Sequence, residues 1–326
     1  MKAIIIDSPG GPEKLKIGEA DKPIPQEDEV LVKVEATALN RADLLQREGK
    51  YPVPKGASEI LGMEISGTVA EIGSNVKNWK KDEKVFGLIP GGGYAEYAII
   101  HKDIAMKIPD KLKTYEAAAI PEVFLTAYQA IFWNGKLNIG ETVLIHAGAS
   151  GVGTAAIQIA KNIGCKVFVT ASKSKHTVCF ELGADAAIDY KSQNFDEEIM
   201  RLTKNKGVDL IIDFIGADYY EKNINSLNYN GRLVILATMG GTKIKEVDLR
   251  KIMGKWLTII GSMLRSRDLD YRIKLTKEFS NYAIEKFKTG QLKPVIDKIF
   301  DWKDVAEAHI YMEQNKNIGK IVLKIS

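Results

Sequence analysis

Cysteine is almost absent from this chain: Cys165 and Cys179 are the only two among 326 residues. So few exclude a disulfide framework and a four-cysteine metal site, and both read as reduced thiols packing like small apolar groups. Long hydrophobic runs are missing as well. A membrane-crossing helix needs roughly 18 uninterrupted apolar residues, and here charge or glycine breaks every run within a few positions. The first, Ala3 to Ile6, stops at Asp7 and is too short for a secretory signal core. Charge of one sign is also scarce. With 46 basic and 42 acidic residues the net charge is +4, and no long basic block gives nucleic acid support as the main partner. The expectation is a globular cytoplasmic protein without membrane contact. Its length and its composition, 45% hydrophobic and 27% charged, suit two domains.

What is present is a glycine-rich turn in a telling place. Val143 to His146 reads as an apolar strand, Ala147 to Gly153 as a turn, and the stretch through Ile163 as an amphipathic helix. Val152, Ala155, Ala156, Ile159 and Ile163 make its apolar stripe, and Gly164 stops it before the next strand. Such a unit cradles a dinucleotide, because glycine lets the backbone approach a pyrophosphate and the helix start points N–H groups at it. Gly148, Ser150, Gly151, Val152 and Gly153 are the candidate contacts, with helix capping as the competing role of Ser150. A nucleophile elbow is the rival reading, but Val152 stands where G-x-S-x-G needs its second glycine. After the second strand, Lys166 to Ala171, an NAD site would place an acid against the ribose. The chain has Ser172 and Lys175 there, so the extra phosphate of NADPH is favoured, with Tyr190 as a further contact.

The order of elements changes along the chain. Residues 1 to about 110 alternate short strands with turns. Between about 120 and 262, strands at Thr142 to His146, Lys166 to Thr170, Ala186 to Asp189, Asp209 to Asp213, Arg232 to Ala237 and Leu257 to Ile260 alternate with helices, which implies an α/β fold of the Rossmann type with a doubly wound parallel sheet. Helices near Asn281 to Lys288 and Trp302 to Glu313 precede a last strand, Lys320 to Ile325, that returns to the first domain. Ligands of such sheets lie beyond the carboxyl ends of the strands. That rule nominates Ile215, Gly216, Met239, Gly240, Gly241, Ser262, Met263 and Leu264.

Five segments together carry a resemblance: Leu39 to Asp43, Leu61-Gly62-Met63-Glu64-Ile65-Ser66-Gly67, Pro90-Gly91-Gly92-Gly93-Tyr94, the turn above, and Asn317 to Leu323. They resemble the medium-chain dehydrogenase/reductase superfamily, and within it the NADPH quinone oxidoreductase branch that includes zeta-crystallin. The resemblance implies a GroES-like, partly closed β-barrel domain from residues 1–120 and 281–326, with an NADPH-binding Rossmann domain, 121–280, inserted. It implies a homodimer joined through the Rossmann edge strand near Trp256 to Ser262. Zinc-dependent members carry a cysteine where this chain has Asn40 and a histidine where it has Met63, so zinc-assisted alcohol oxidation is disfavoured.

The resemblance further implies zinc-independent reduction of a quinone by hydride transfer. An acceptor whose conjugation spreads the incoming charge tolerates the loss of a Lewis acid. Tyr51 would line the acceptor pocket and Asn40 would orient the nicotinamide or acceptor oxygen, whereas Asp43 and Glu64 read as relics of the zinc site. Lys320 resembles a basic residue of the family that approaches the adenine ribose or its phosphate, with a surface lysine that starts a strand as the competing reading. Reduction of alkenals or enoyl thioesters is the alternative within the same chemistry, and redox cycling is a further outcome to test. A non-catalytic crystallin-like or RNA-binding protein is the alternative of another class, which the charge balance does not favour.

Overall fold

A computed structural model describes residues 1–325. The chain divides into two compact units: Met1–Leu125 together with the segment from Arg265 onward, and Thr126–Leu264. The sequence reading set these boundaries at 120 and 280. Residues 265–280 go instead with the first unit, where they lead into the helix Leu269–Thr289, whose Leu275, Phe279, Ala283 and Phe287 are buried at every fourth position. Lys274, Lys277 and Glu278 dilute that stripe, so only its second half reads as helix in the sequence.

In the first unit β1 (Lys2–Ile6) pairs antiparallel with β2 (Leu15–Glu19). A larger sheet contains β3 (Glu29–Ala38), β4 (Glu64–Ile72), β5 (Lys84–Leu88), β6 (Tyr97–His101) and β7 (Met106–Lys107). The second unit holds β8 (Thr142–Ile145), β9 (Lys166–Ala171), β10 (Ala186–Asp189), β11 (Val208–Asp213), β12 (Leu227–Ile235) and β13 (Thr258–Gly261). The chain then returns to the first unit with β14 (Ile296–Asp301) and β15 (Lys320–Lys324).

The large sheet of the first unit runs β14-β15-β3-β4-β5-β7, with β6 also paired to β3. β3 bonds β6 through Glu29 to Lys33 and β15 through Ala36 to Ala38, so it changes neighbours along its length. It has two register shifts against β4, and the second, between Val34 and Ala36, falls where the neighbour changes. The curled sheet of a GroES-like domain results. Val30, Val32 and Val34 pack one side with Ile65, Val69 and Val85, while Leu39, Leu61, Tyr94, Trp302 and Leu323 form a separate core.

The sheet of the second unit is wholly parallel, in the order β10-β9-β8-β11-β12-β13. Consecutive residues Val143 to Ile145 and Leu210 to Ile212 are fully buried, as strands covered on both faces must be. β12 starts at Leu227, earlier than the sequence suggests, because Asn230-Gly231 has the composition of a turn and Asn230 does adopt a φ of 57°. Among the described residues no helix is long and apolar enough to cross a membrane.

Candidate active site

The cradle forms from main-chain geometry. β8 leads through Ala147, held at a φ of 48°, into the helix Gly151–Ile163, which Gly164 ends in the left-handed region. A Cβ on Gly153 would lie 2.4 Å from the Ala147 carbonyl oxygen, and one on Gly148 would lie 2.6 Å from the Val169 side chain. Only glycine fits either place. Ser150 takes the capping role, its Oγ accepting from the Gly153 N–H at 3.1 Å. The N–H groups of Gly151 and Val152, in the first turn, have no partner within the helix and stay available to an anion.

Ala171 pairs with Asp189, so the residues that follow, Ser172 and Tyr190, emerge side by side beyond the carboxyl ends of β9 and β10. Lys175 closes the single helical turn after Ser172. One acid also stands here, which the sequence reading passed over. Asp189 is held below the usual carboxylate range, first by the Ser192 hydroxyl and also by the Lys191 and Lys173 N–H groups, so its carboxylate is spent locally.

The glycines nominated beyond β11 and β12 answer to each other. The Met239 and Gly240 N–H groups donate to Phe214 O and Ile215 O, and a Cβ on Gly216 would lie 2.8 Å from Gly241 O. Packing of these two loops therefore explains Gly216, Gly240 and Gly241 without a ligand. Met239 and Met263 are exposed, Ile215 is partly buried, and Ser262 and Leu264 are buried. Asn134 donates at 2.8 Å to the Ser262 hydroxyl, which keeps its own O–H as a donor, while the Ser262 N–H is spent on Ile235 O.

In the first unit a buried charged cluster forms where β15, β3 and β4 lie side by side. Asn40 follows the end of β3, while Lys320 and Glu64 open its two antiparallel neighbours, so all three fall at one end of the sheet. The Lys320 ammonium donates to Leu39 O at 2.7 Å and Asn40 Oδ1 at 2.6 Å and lies 2.7 Å from Glu64 Oε1. Its three hydrogens are thereby used. This corrects the expectation that Lys320 approaches the adenine ribose: it is buried against Glu64 as a counter-ion.

Asn40 is held in the same grip, its Nδ2 donating to Glu64 Oε1 at 2.8 Å and Ala38 O at 3.3 Å. Its amide positions the cluster rather than offering a free donor to nicotinamide or acceptor, a second correction. Asp43 accepts from the Asn40 and Gly62 N–H groups at 2.8 and 3.1 Å. Burial nevertheless pushes its carboxyl up to about 6. Asp43 and Glu64 each have a structural task, accepting main-chain N–H groups from the residues around them. Glu122 gives its N–H to Glu64 Oε2 at 2.9 Å, and burial, reinforced by Glu64 and opposed by Lys320, pushes its own carboxyl up to about 7.

Tyr51 lies over the guanidinium of Arg265, with 5.3 Å between the ring centroid and the guanidinium carbon. Arg265, Glu122 and Met63 line one small cavity of this unit. Sequence reading stopped at Leu264 and missed Arg265; a cation directly after a strand end that faces a ligand was the available signal.

Comparison with known proteins accounts for both units. The alcohol dehydrogenase GroES-like domain family matches residues 26–110, and the zinc-binding dehydrogenase family matches residues 151–281. The human quinone oxidoreductase is 32% identical over 315 residues, 95% of this chain and 93% of that protein. The chain belongs to the medium-chain dehydrogenase/reductase superfamily, in its quinone oxidoreductase branch. Its fold is shared by the CurK enoyl reductase, with a TM-score of 0.88 and 27% identity covering 100% of this chain and 99% of that one. A mycobacterial protein solved in complex with NADPH has a TM-score of 0.88 and 25% identity, covering both chains in full.

The zinc named in one family's description does not fit this chain. Asn40 and Met63 fill two ligand positions, and the remaining acid of that set, Glu64, already faces the Lys320 ammonium. A divalent cation would meet a fixed positive charge and too few ligands. A pyridine nucleotide does fit the second unit, where the clearance at Gly148 and Gly153 and the open helix start match a pyrophosphate.

Proposed function

We propose that this chain reduces quinones with NADPH and without a metal. The observation that carries the reading is the Lys320 ammonium, bonded to Glu64 and to Asn40, the residue that stands where zinc-dependent relatives carry a cysteine. A fixed ammonium with its donors engaged cannot polarise an alkoxide, so the acceptor must spread charge through its own conjugation. NADPH, when bound, supplies the hydride. The turn from Gly148 to Gly153 would hold its pyrophosphate, and Ser172, Lys175 and Tyr190 its 2′-phosphate. Tyr51 would present a flat face to the acceptor, and the cluster around Lys320 would fix the shape of the pocket floor and keep water out.

The exposed apolar side chains near the edge strand β13 support a homodimer formed there: Met253, Trp256 and Ile259 are accessible in the single chain. The likeness to CurK favours enoyl reduction as the second reading, since a hydride can reach a conjugated alkene in the same way. A steady-state screen of NADPH with ortho-quinones, para-quinones, enals and enoyl thioesters tests the proposal. Fastest turnover of quinones, unaffected by chelators, is the expected result; turnover of enoyl thioesters alone would move the chain to the second reading, and loss of activity with chelators would refute the metal-free mechanism. Oxygen uptake during the same turnover tests redox cycling.

A further inference from the structure

Arg265 is a buried arginine only partly used by the protein. It is 8% exposed, and two arms of its fork are anchored in the first unit: Nε donates to Pro90 O at 2.8 Å and Nη2 to Gln46 Oε1 at 2.7 Å. The third nitrogen, Nη1, is buried and finds no acceptor among the described residues. A buried charged donor without a partner is costly and uncommon, and it marks either strain or a place kept for a ligand. Asp43 and Glu122 act on the guanidinium electrostatically, but no carboxylate forms an ion pair with it among the described residues. Two anchored arms make the third a rigid donor rather than a flexible one. The Tyr51 ring, a flat aromatic face, lies across the guanidinium, and Met63 and Glu122 line a small cavity with Arg265.

We propose that Arg265 is the acceptor-oxygen ligand: Nη1 donates to the carbonyl oxygen of a flat conjugated acceptor, and Tyr51 shifts to stack on the acceptor's ring. The inference rests on the reductase reading and names the group that reading lacks, since Lys320 and Asn40 are committed elsewhere. As the conjugated system takes up a hydride supplied by NADPH, a new C–H bond forms and the carbonyl π pair moves onto oxygen; a proton from water then converts that oxyanion to a hydroxyl. Nη1 faces the atom on which negative charge develops, so its hydrogen bond strengthens along the reaction.

The test is binding of 4-nitrophenolate, a flat conjugated oxyanion whose absorbance reports its surroundings, to the full chain. The wild type should bind it, and Arg265→Lys, which keeps the charge but loses the anchored fork, should bind at least tenfold more weakly with the Kd for NADPH within twofold. In turnover the same variant should raise the quinone KM tenfold and leave the NADPH KM unchanged, whereas a purely structural role would move both. No phenolate binding by the wild type, or equal binding by the variant, overturns the inference. If Arg265→Lys does not fold, a crystal structure of the wild type with 4-nitrophenolate decides: phenolate oxygen on Nη1 supports the inference, and oxygen elsewhere refutes it. Phenolate bound through Arg265 by a protein that turns over neither quinones nor enals would leave this site standing and remove the reductase reading.

Discussion

The glycine turn of the second unit and the charged cluster of the first are built in opposite ways. The turn is contiguous: strand, glycines and helix follow one another from Thr142 to Ile163, and its binding groups are main-chain N–H donors. The cluster depends on side chains far apart in sequence, Asn40 and Lys320 standing 280 positions from each other. A main-chain site tolerates substitution except where a Cβ has no room. A buried charged site fails when any one partner is lost, because the remaining charge keeps its desolvation cost and loses its compensation.

The sharpest way to break this contrast is Lys320→Met. Glu64 would be left buried without its ammonium, and a loss of about 3–5 kcal/mol is expected in chemical denaturation; a loss below 1 kcal/mol would show that the pair contributes little. A pH comparison comes next. The carboxyl of Glu122 rises from an ordinary 4.5 to about 7 in the folded chain. The stability this contributes is present in full below the unfolded value and is lost as pH rises through the folded one. Denaturation at pH 5 and pH 8 should therefore differ by up to about 3 kcal/mol from this group, and Glu122→Gln should remove that part of the difference. An unchanged pH dependence in the variant would exonerate Glu122.

In the second unit the effects should be smaller. Gly153→Val forces a side chain against Ala147 O, which costs about 1–3 kcal/mol and displaces the helix start; calorimetry should show NADPH and NADH weakened alike. Lys175→Ala should weaken NADPH about tenfold, roughly 1.4 kcal/mol, and leave NADH unchanged; equal weakening of both would remove Lys175 from the phosphate site. Ser150→Ala, which deletes a helix cap, should lower stability by only about 1 kcal/mol.

Legibility in the sequence follows the same division. The parallel sheet was readable because its strands are short apolar runs between helices, and Ala186–Asp189 agrees at both ends with the expected strand. β14 was not, since Asp297, Lys298 and Asp301 interrupt its apolar residues and its pairing with β15 is the only thing that makes it a strand. Resemblance located Asn40 and Glu64 but assigned Lys320 to the wrong partner. The missing clue was a physical one: an acid set among Leu61, Met63 and Ile65 requires a cation, and neither zinc nor a nearby basic residue supplied it.

The place of Lys320 on β15 has a consequence for how the protein is made. A ribosome releases residues 126–264 as one uninterrupted stretch, so the second unit can close while translation continues. The first unit cannot. Glu64 emerges early and waits for its counter-ion until β15 is synthesised, which leaves the half-built GroES-like sheet with an unmatched acid and an open edge at β3. Folding of the first unit therefore waits for β15, which acts as the clasp on a sheet begun before the second unit was made.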